Sequence, residues 1–131
     1  MQQADDERAG VWSPRDLPAD EQATFRHGVA AFNAGDYYAA HDDFEALWGE
    51  DFWKGLVQAA VALHHHQVGN PRGIIGLPGN VRRLLDPYRP AYMGLDVARF
   101  LADFTAFFDA VDAGGATPPA PRLHHAGRNK E

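Results

Sequence analysis

Phe32-Asn33-Ala34-Gly35-Asp36-Tyr37-Tyr38-Ala39-Ala40-His41-Asp42-Asp43-Phe44-Glu45-Ala46-Leu47-Trp48 writes a helix end, a turn and a new helix into one short stretch. Gly35 suits the left-handed conformation that closes a helix. Asp36 offers its carboxylate to the next helix's free N–H groups. Working outward, a first helix opens near Pro18, carries Asp20 and Glu21 at the positive end of its dipole, and runs through Phe25, Val29 and Phe32. The second helix spans roughly 37–48 and the third roughly 51–68, ending at Gly69. Asn70-Pro71 pairs a cap with proline at a first helical position, opening a segment that Gly76, Pro78 and Gly79 break before it continues from Asn80 to Leu85. After the connection Asp86-Pro87-Tyr88-Arg89-Pro90, a last helix over about 96–112 shows Val97, Phe100, Leu101, Phe104, Phe107, Phe108 and Val111 as a core-facing stripe.

Composition agrees with this reading. Alanine occurs 22 times against 13 for valine, isoleucine and threonine together, which favours helix over strand. The expected fold is all-α, a single-domain bundle of about five helices with a central third helix. Residues 1–13 read as a flexible leader, 14–113 as the helical domain, and 114–131, with Gly114-Gly115 and Pro118-Pro119-Ala120-Pro121, as a flexible tail.

With 18 acidic against 12 basic residues the net charge is −6, a poor match to phosphate backbones or anionic lipid. No nucleic-acid partner and no membrane partner is expected. The absence of cysteine excludes disulfides, thiolate metal sites and cysteine nucleophiles. The polar, acidic start lacks a secretory signal's pattern, so the cytoplasm is the expected location. His124 and His125 in the tail are a weak metal signal, and the Arg82-Arg83 doublet reads as a solvated helix face.

The second helix carries the chemistry. At about 100° per residue, with Tyr37 at zero, Phe44 falls at about −20°, Trp48 at about 20°, Leu47 at about −80° and Tyr38 at about 100°. His41, at about 40°, and Glu45, at about 80°, fall inside that arc, and Asp42 sits at its edge. Burying such groups costs several kcal/mol unless they are paired or bind something, so the arc predicts that His41 and Glu45 are mostly buried. One turn apart, the two can bond each other or share a metal. On the third helix, Gln58 and His65 align seven residues apart, beside Gly55, Ala59 and Ala62, whose small size lets another helix approach. Among His64-His65-His66, His65 is favoured for its alignment with Gln58.

At these residues the chain resembles the domain-of-unknown-function family 309. That family's signature runs Phe-Asn-x-Gly, two aromatics, then His-Glu-x-x-Glu-x-x-Trp, and is matched here from Phe32 to Trp48. A second block matches at Gly55-Leu56-Val57-Gln58-Ala59-Ala60 with His65, Gly69-Asn70 and Gly73. The resemblance covers roughly residues 22–113. It implies a small all-helical protein labelled a predicted metal-dependent hydrolase, acting on an unknown small-molecule substrate. It implies His41, Glu45 and His65 as ligands of a divalent transition metal (Zn, Mn or Fe), with Gln58 and Asn70 supporting them. Glu45 and Asp42 are the implied catalytic carboxylates, Asp42 standing where the family more often has the longer Glu. Leu77-Pro78-Gly79 is an insertion-like stretch placed to alter the mouth of the site.

Three readings follow. A metal-assisted hydrolase would use imidazole and carboxylate ligands with an open coordination position. A structural reading makes His41, Glu45, Gln58 and His65 a buried polar network fixing two helices. An interaction module is suggested by Gly35-Asp36-Tyr37, Ala40 and Phe44, which echo one turn of a tetratricopeptide repeat, a solenoid that needs about three repeats.

Overall fold

The computed structural model describes residues 17–47 and 49–127. Its elements are α1 (Ala19–Asn33), α2 (Tyr37–Ala46), α3 (Asp51–Gln67), a 3-10 turn (Pro71–Ile74), α4 (Leu77–Leu85), a second 3-10 turn (Asp86–Tyr88), β1 (Ala91–Tyr92), β2 (Leu95–Asp96) and α5 (Val97–Ala113). The chain divides into two compact units at Leu85/Asp86, one holding α1–α4 and the other the hairpin and α5. The fold class is all-α, as the composition implies, and no helix among the described residues is long and apolar enough to cross a membrane.

In the first unit the α1–α2 corner follows its sequence closely. α1 buries Phe25, Gly28 and Phe32, and Gly35 takes a φ of 84°. Asp36 caps α2 by accepting from the Ala39 N–H at 3.2 Å. The Gln67 side chain donates to the Gly35 carbonyl at 3.1 Å, tying the end of α3 to the corner. α3 packs between α2 and α4, which makes it the central helix of this unit. Ala59 and Ala62 are fully buried, and at Gly55 the Leu84 and Leu85 side chains of α4 come so close that no side chain would fit.

α4 corrects one expectation. Pro78 does not break it: the helix starts at Leu77, and Pro78 lies in the first turn, where its missing N–H has no intrahelical partner to lose. The stretch Leu77-Pro78-Gly79 is therefore the start of a helix rather than an inserted loop.

In the second unit the expected stripe is the core of α5, burying Val97, Phe100, Leu101, Phe104, Phe107 and Phe108. Asp96 caps it by accepting from the Arg99 N–H at 2.9 Å, and Gly114 ends it at φ 74°. The hairpin before α5 is absent from the sequence reading. Its two-residue turn, Met93-Gly94, takes positive φ at both positions, as tight antiparallel hairpins require. The tail reading also needs correction over part of its length. Pro121 and Leu123 are buried, Asp96 N–H donates to the His124 carbonyl, and Ala126 N–H donates to the Gly94 carbonyl, both at 2.8 Å. The backbone that looked unable to form a helix pairs with the hairpin edge instead, which satisfies its polar groups. The leader (residues 1–13) lies outside the described residues.

Two histidines titrate in opposite directions. His27 of α1 pairs with Asp43 of α2, and that hydrogen bond, then the carboxylate's charge, raise its pKa above the usual 6.5. The pair's stabilisation is fully present below about 6.5 and fades as pH rises through the raised folded value. Burial, then the charges of Arg99 and Arg122, push His124 below 6.5, so stability falls as pH drops through 6.5 toward that lower value. In an NMR titration we expect His27 to titrate above, and His124 below, the usual midpoint. Asp43→Asn should return His27 to normal and leave His124 unmoved; an unshifted His27 in the wild type would mean that the α1–α2 pair does not form.

Candidate functional site

α2 presents one face to the core of its unit. Tyr37, Ala40, Phe44 and Leu47 are buried, so this face is centred at about −40° on the scale that puts Tyr37 at zero. Tyr38, which widened the arc in the sequence reading, is 68% exposed. Trp48, the other residue that widened it, lies outside the described residues. The true face is therefore rotated away from His41 and Glu45. His41 is half-buried at 29% exposure, while Glu45, about 120° from the centre, is 57% exposed and Asp42 is 61% exposed. The expectation that both groups are buried is corrected: Glu45 is solvated, and a buried polar network through it does not form.

The geometry around His41 assigns its two nitrogens different partners. Nδ1 lies 3.2 Å from Asp42 Oδ1, a hydrogen bond in which the carboxylate can only accept. Nε2 lies 3.7 Å from Glu45 Oε1, too long for a hydrogen bond. In the neutral ring the proton is therefore on Nδ1, and Nε2 turns a lone pair toward the side where Glu45 sits. Among the described residues, His41, Asp42 and Glu45 are the ligand-type side chains whose donor atoms all lie within 4.8 Å of one another.

His41 also lines a cleft of ≈ 220 Å³ between α2 and α3, with Tyr37, Tyr38, Ala60, Val61 and His64. The Tyr38 and His41 rings lie nearly parallel, 16° apart in plane. Burial raises the Tyr37 hydroxyl's pKa above its usual value, so it stays protonated beside the cleft.

The residues of the second block sit elsewhere. Asn70 Nδ2 donates to His65 Nδ1 at 3.2 Å, and Asn70 N–H donates to the His65 carbonyl at 2.8 Å. The His65 ring lies against Gly73, where an added Cβ would stand only 2.5 Å from it. His65 is thus not among the three clustered side chains, and Gln58 does not hydrogen-bond it. Gln58 Oε1 is buried with no hydrogen-bond partner among the described residues. The histidine that shares the cleft with His41 is His64, which the sequence reading passed over because its alignment along α3 points away from Gln58.

Residues 25–77 match the family model described as Domain of unknown function (DUF309). The chain is 32% identical over 90 residues to the Uncharacterized protein YpuF of Bacillus subtilis (strain 168), a match covering 62% of this chain and 52% of that protein. It is 41% identical over 59 residues to an Uncharacterized protein of Aquifex aeolicus (strain VF5), covering 40% of this chain and 18% of that one. The chain thus spans about half the length of the first relative and under a fifth of the second. No solved structure matches it. The matched stretch begins in α1 and ends at the first residue of α4, so it contains both helices that line the cleft. The resemblance to the domain of unknown function 309 read from the two sequence blocks therefore stands, over residues 25–77 of this chain.

Proposed function

We propose that the α2–α3 face is the site of a metal-dependent hydrolase, in which His41 and Glu45 hold a divalent transition ion (Zn, Mn or Fe) and the cleft admits a small-molecule substrate. One observation carries this reading: a free imidazole lone pair and a carboxylate 3.7 Å apart, beside a cleft that His41 itself lines. Two ligands about 2.1 Å from one ion in tetrahedral array stand roughly 3.4 Å apart, so the pair fits with a small side-chain adjustment that its exposure permits. Asp42 serves as a positioning residue, fixing the ring and its tautomer through Nδ1, as carboxylates behind ligating histidines do. When bound, such an ion supplies Lewis acidity toward a carbonyl or phosphoryl oxygen. In this reading the Glu45 oxygen not held by the ion would accept a proton from the attacking water, and Asp42 would act on that step through the ring it orients. The same proposal puts the protein in the cytoplasm.

The test is metal analysis and zinc titration of tag-free protein, alongside thermal denaturation. Wild type is expected to bind one ion, and Glu45→Ala to lose it. Because Glu45 is more than half exposed, that substitution should change apo stability by less than about 0.5 kcal/mol. A loss of about 1–3 kcal/mol would instead revive the buried-network reading, and wild type that binds no ion would end the metal proposal.

A further inference from the structure

We infer that His64 of α3 is the cross-helix nitrogen ligand of this site, in the place that sequence alignment along the helix gave to His65; the inference rests on the metal reading above. His41 and Glu45 both project from α2, so alone they offer an ion one nitrogen and one carboxylate from a single helix. A transition ion of this class favours further imidazole, and a stable site needs a third protein ligand. α3 supplies three consecutive histidines, but about 100° separates each from the next, so they face different surroundings.

His65 is engaged at its Nδ1 and along its ring. Its Nδ1 accepts the Asn70 amide hydrogen, which leaves the proton of the neutral ring on Nε2 and no lone pair for a metal. Its ring is also held against Gly73, where nothing larger than hydrogen fits. His64 lines the same cleft as His41, from the facing helix; its nitrogens stand outside the 4.8 Å cluster of His41, Asp42 and Glu45, and because it is only half-buried its ring has room to turn toward them. The cleft's ≈ 220 Å³ exceeds several times the roughly 30 Å³ share of one water, enough for an ion with its remaining waters. Asn70, Gly73 and His65 then form a clamp on the last turn of α3 that sets the rotation of the helix and leaves His64 toward α2.

The test compares zinc affinity by calorimetry for wild type, His64→Ala and His65→Ala. His64→Ala should weaken binding at least about tenfold, since even outer-shell partners are felt on that scale. His65→Ala, where it stays folded, should bind zinc more tightly than His64→Ala does. Because His65→Ala removes the clamp and risks the fold, ring-nitrogen NMR of the wild type supplies a second readout. On zinc addition the nitrogens of His41 and His64 should shift while those of His65 stay in place. Wild-type affinity in folded His64→Ala, or a zinc shift at His65 and none at His64, overturns this inference and leaves the metal proposal standing. Wild type that takes no zinc overturns both.

Discussion

Phe44→Ala is expected to lower the stability of the α1–α4 unit by about 3–5 kcal/mol, the cost of emptying a fully buried aromatic site. Phe44 has no exposed surface, and its ring stands 6.5 Å from that of Phe32. The space it fills cannot be taken up from Gly28 of α1, which faces the ring and has no side chain. A Cβ there would already lie 2.8 Å from Phe44 Cε1, so the crossing of α1 and α2 is built on a missing side chain facing a large one. Removing the ring leaves a void between two backbones that are already close, and a helix of ten residues is too short to persist without its packing. Against a typical total of about 5–15 kcal/mol, the variant should sit near the edge of folding. Urea denaturation of wild type and variant measures the loss; a cost under about 1 kcal/mol would mean that α2 is not docked through this residue.

The parts of the fold legible in sequence are those decided locally or by strong periodicity. Gly35 and Asp36 announce the α1–α2 corner because a positive φ and a side-chain cap are properties of single residues. The stripe of α5 announces its buried face because six apolar groups, four of them phenylalanine, repeat at helical spacing. Gly55, Ala59 and Ala62 announce a close neighbour by their size, and α4 is that neighbour.

What stayed hidden depends on partners distant in sequence or on small residues. Ala40, fully buried, sets the true face of α2, yet reading by bulk gave Tyr38 the weight instead. That rotation moved Glu45 from the core to solvent and changed the character of the site from network to open cluster. That His65 is held away from the cleft depends on Asn70 and Gly73, beyond the end of α3, where helical geometry alone has no say. The hairpin was invisible because two-residue strands carry no alternation, and the Met93-Gly94 turn places methionine where asparagine or glycine would have been the signal.

Gly55→Val should damage the same unit by the opposite route, costing about 3 kcal/mol, the upper end of the usual overpacking range. A Cβ at Gly55 would stand 2.5 Å from Leu85 Cδ2, 2.6 Å from its Cγ and 3.4 Å from Leu84 Cβ. Leu85 is 1% exposed, so it has no open side into which to retreat. Valine adds two methyl groups to that clash and a stiff χ1 that cannot turn away from it. The same residue type behaves differently one helix on. Gly79 of α4 has open space around it and no positive φ, so Gly79→Ala should stabilise by about 0.5–1 kcal/mol, the ordinary gain of replacing glycine inside a helix. Thermal and urea denaturation measure both, the first variant testing the α3–α4 contact and the second serving as a control away from it. Should Gly55→Val melt with the wild type, α4 would not lie on α3 as described. The contact matters beyond stability: α4 closes one side of α3, α2 meets the other, and the cleft shared by His41 and His64 is defined only while α3 is held between them.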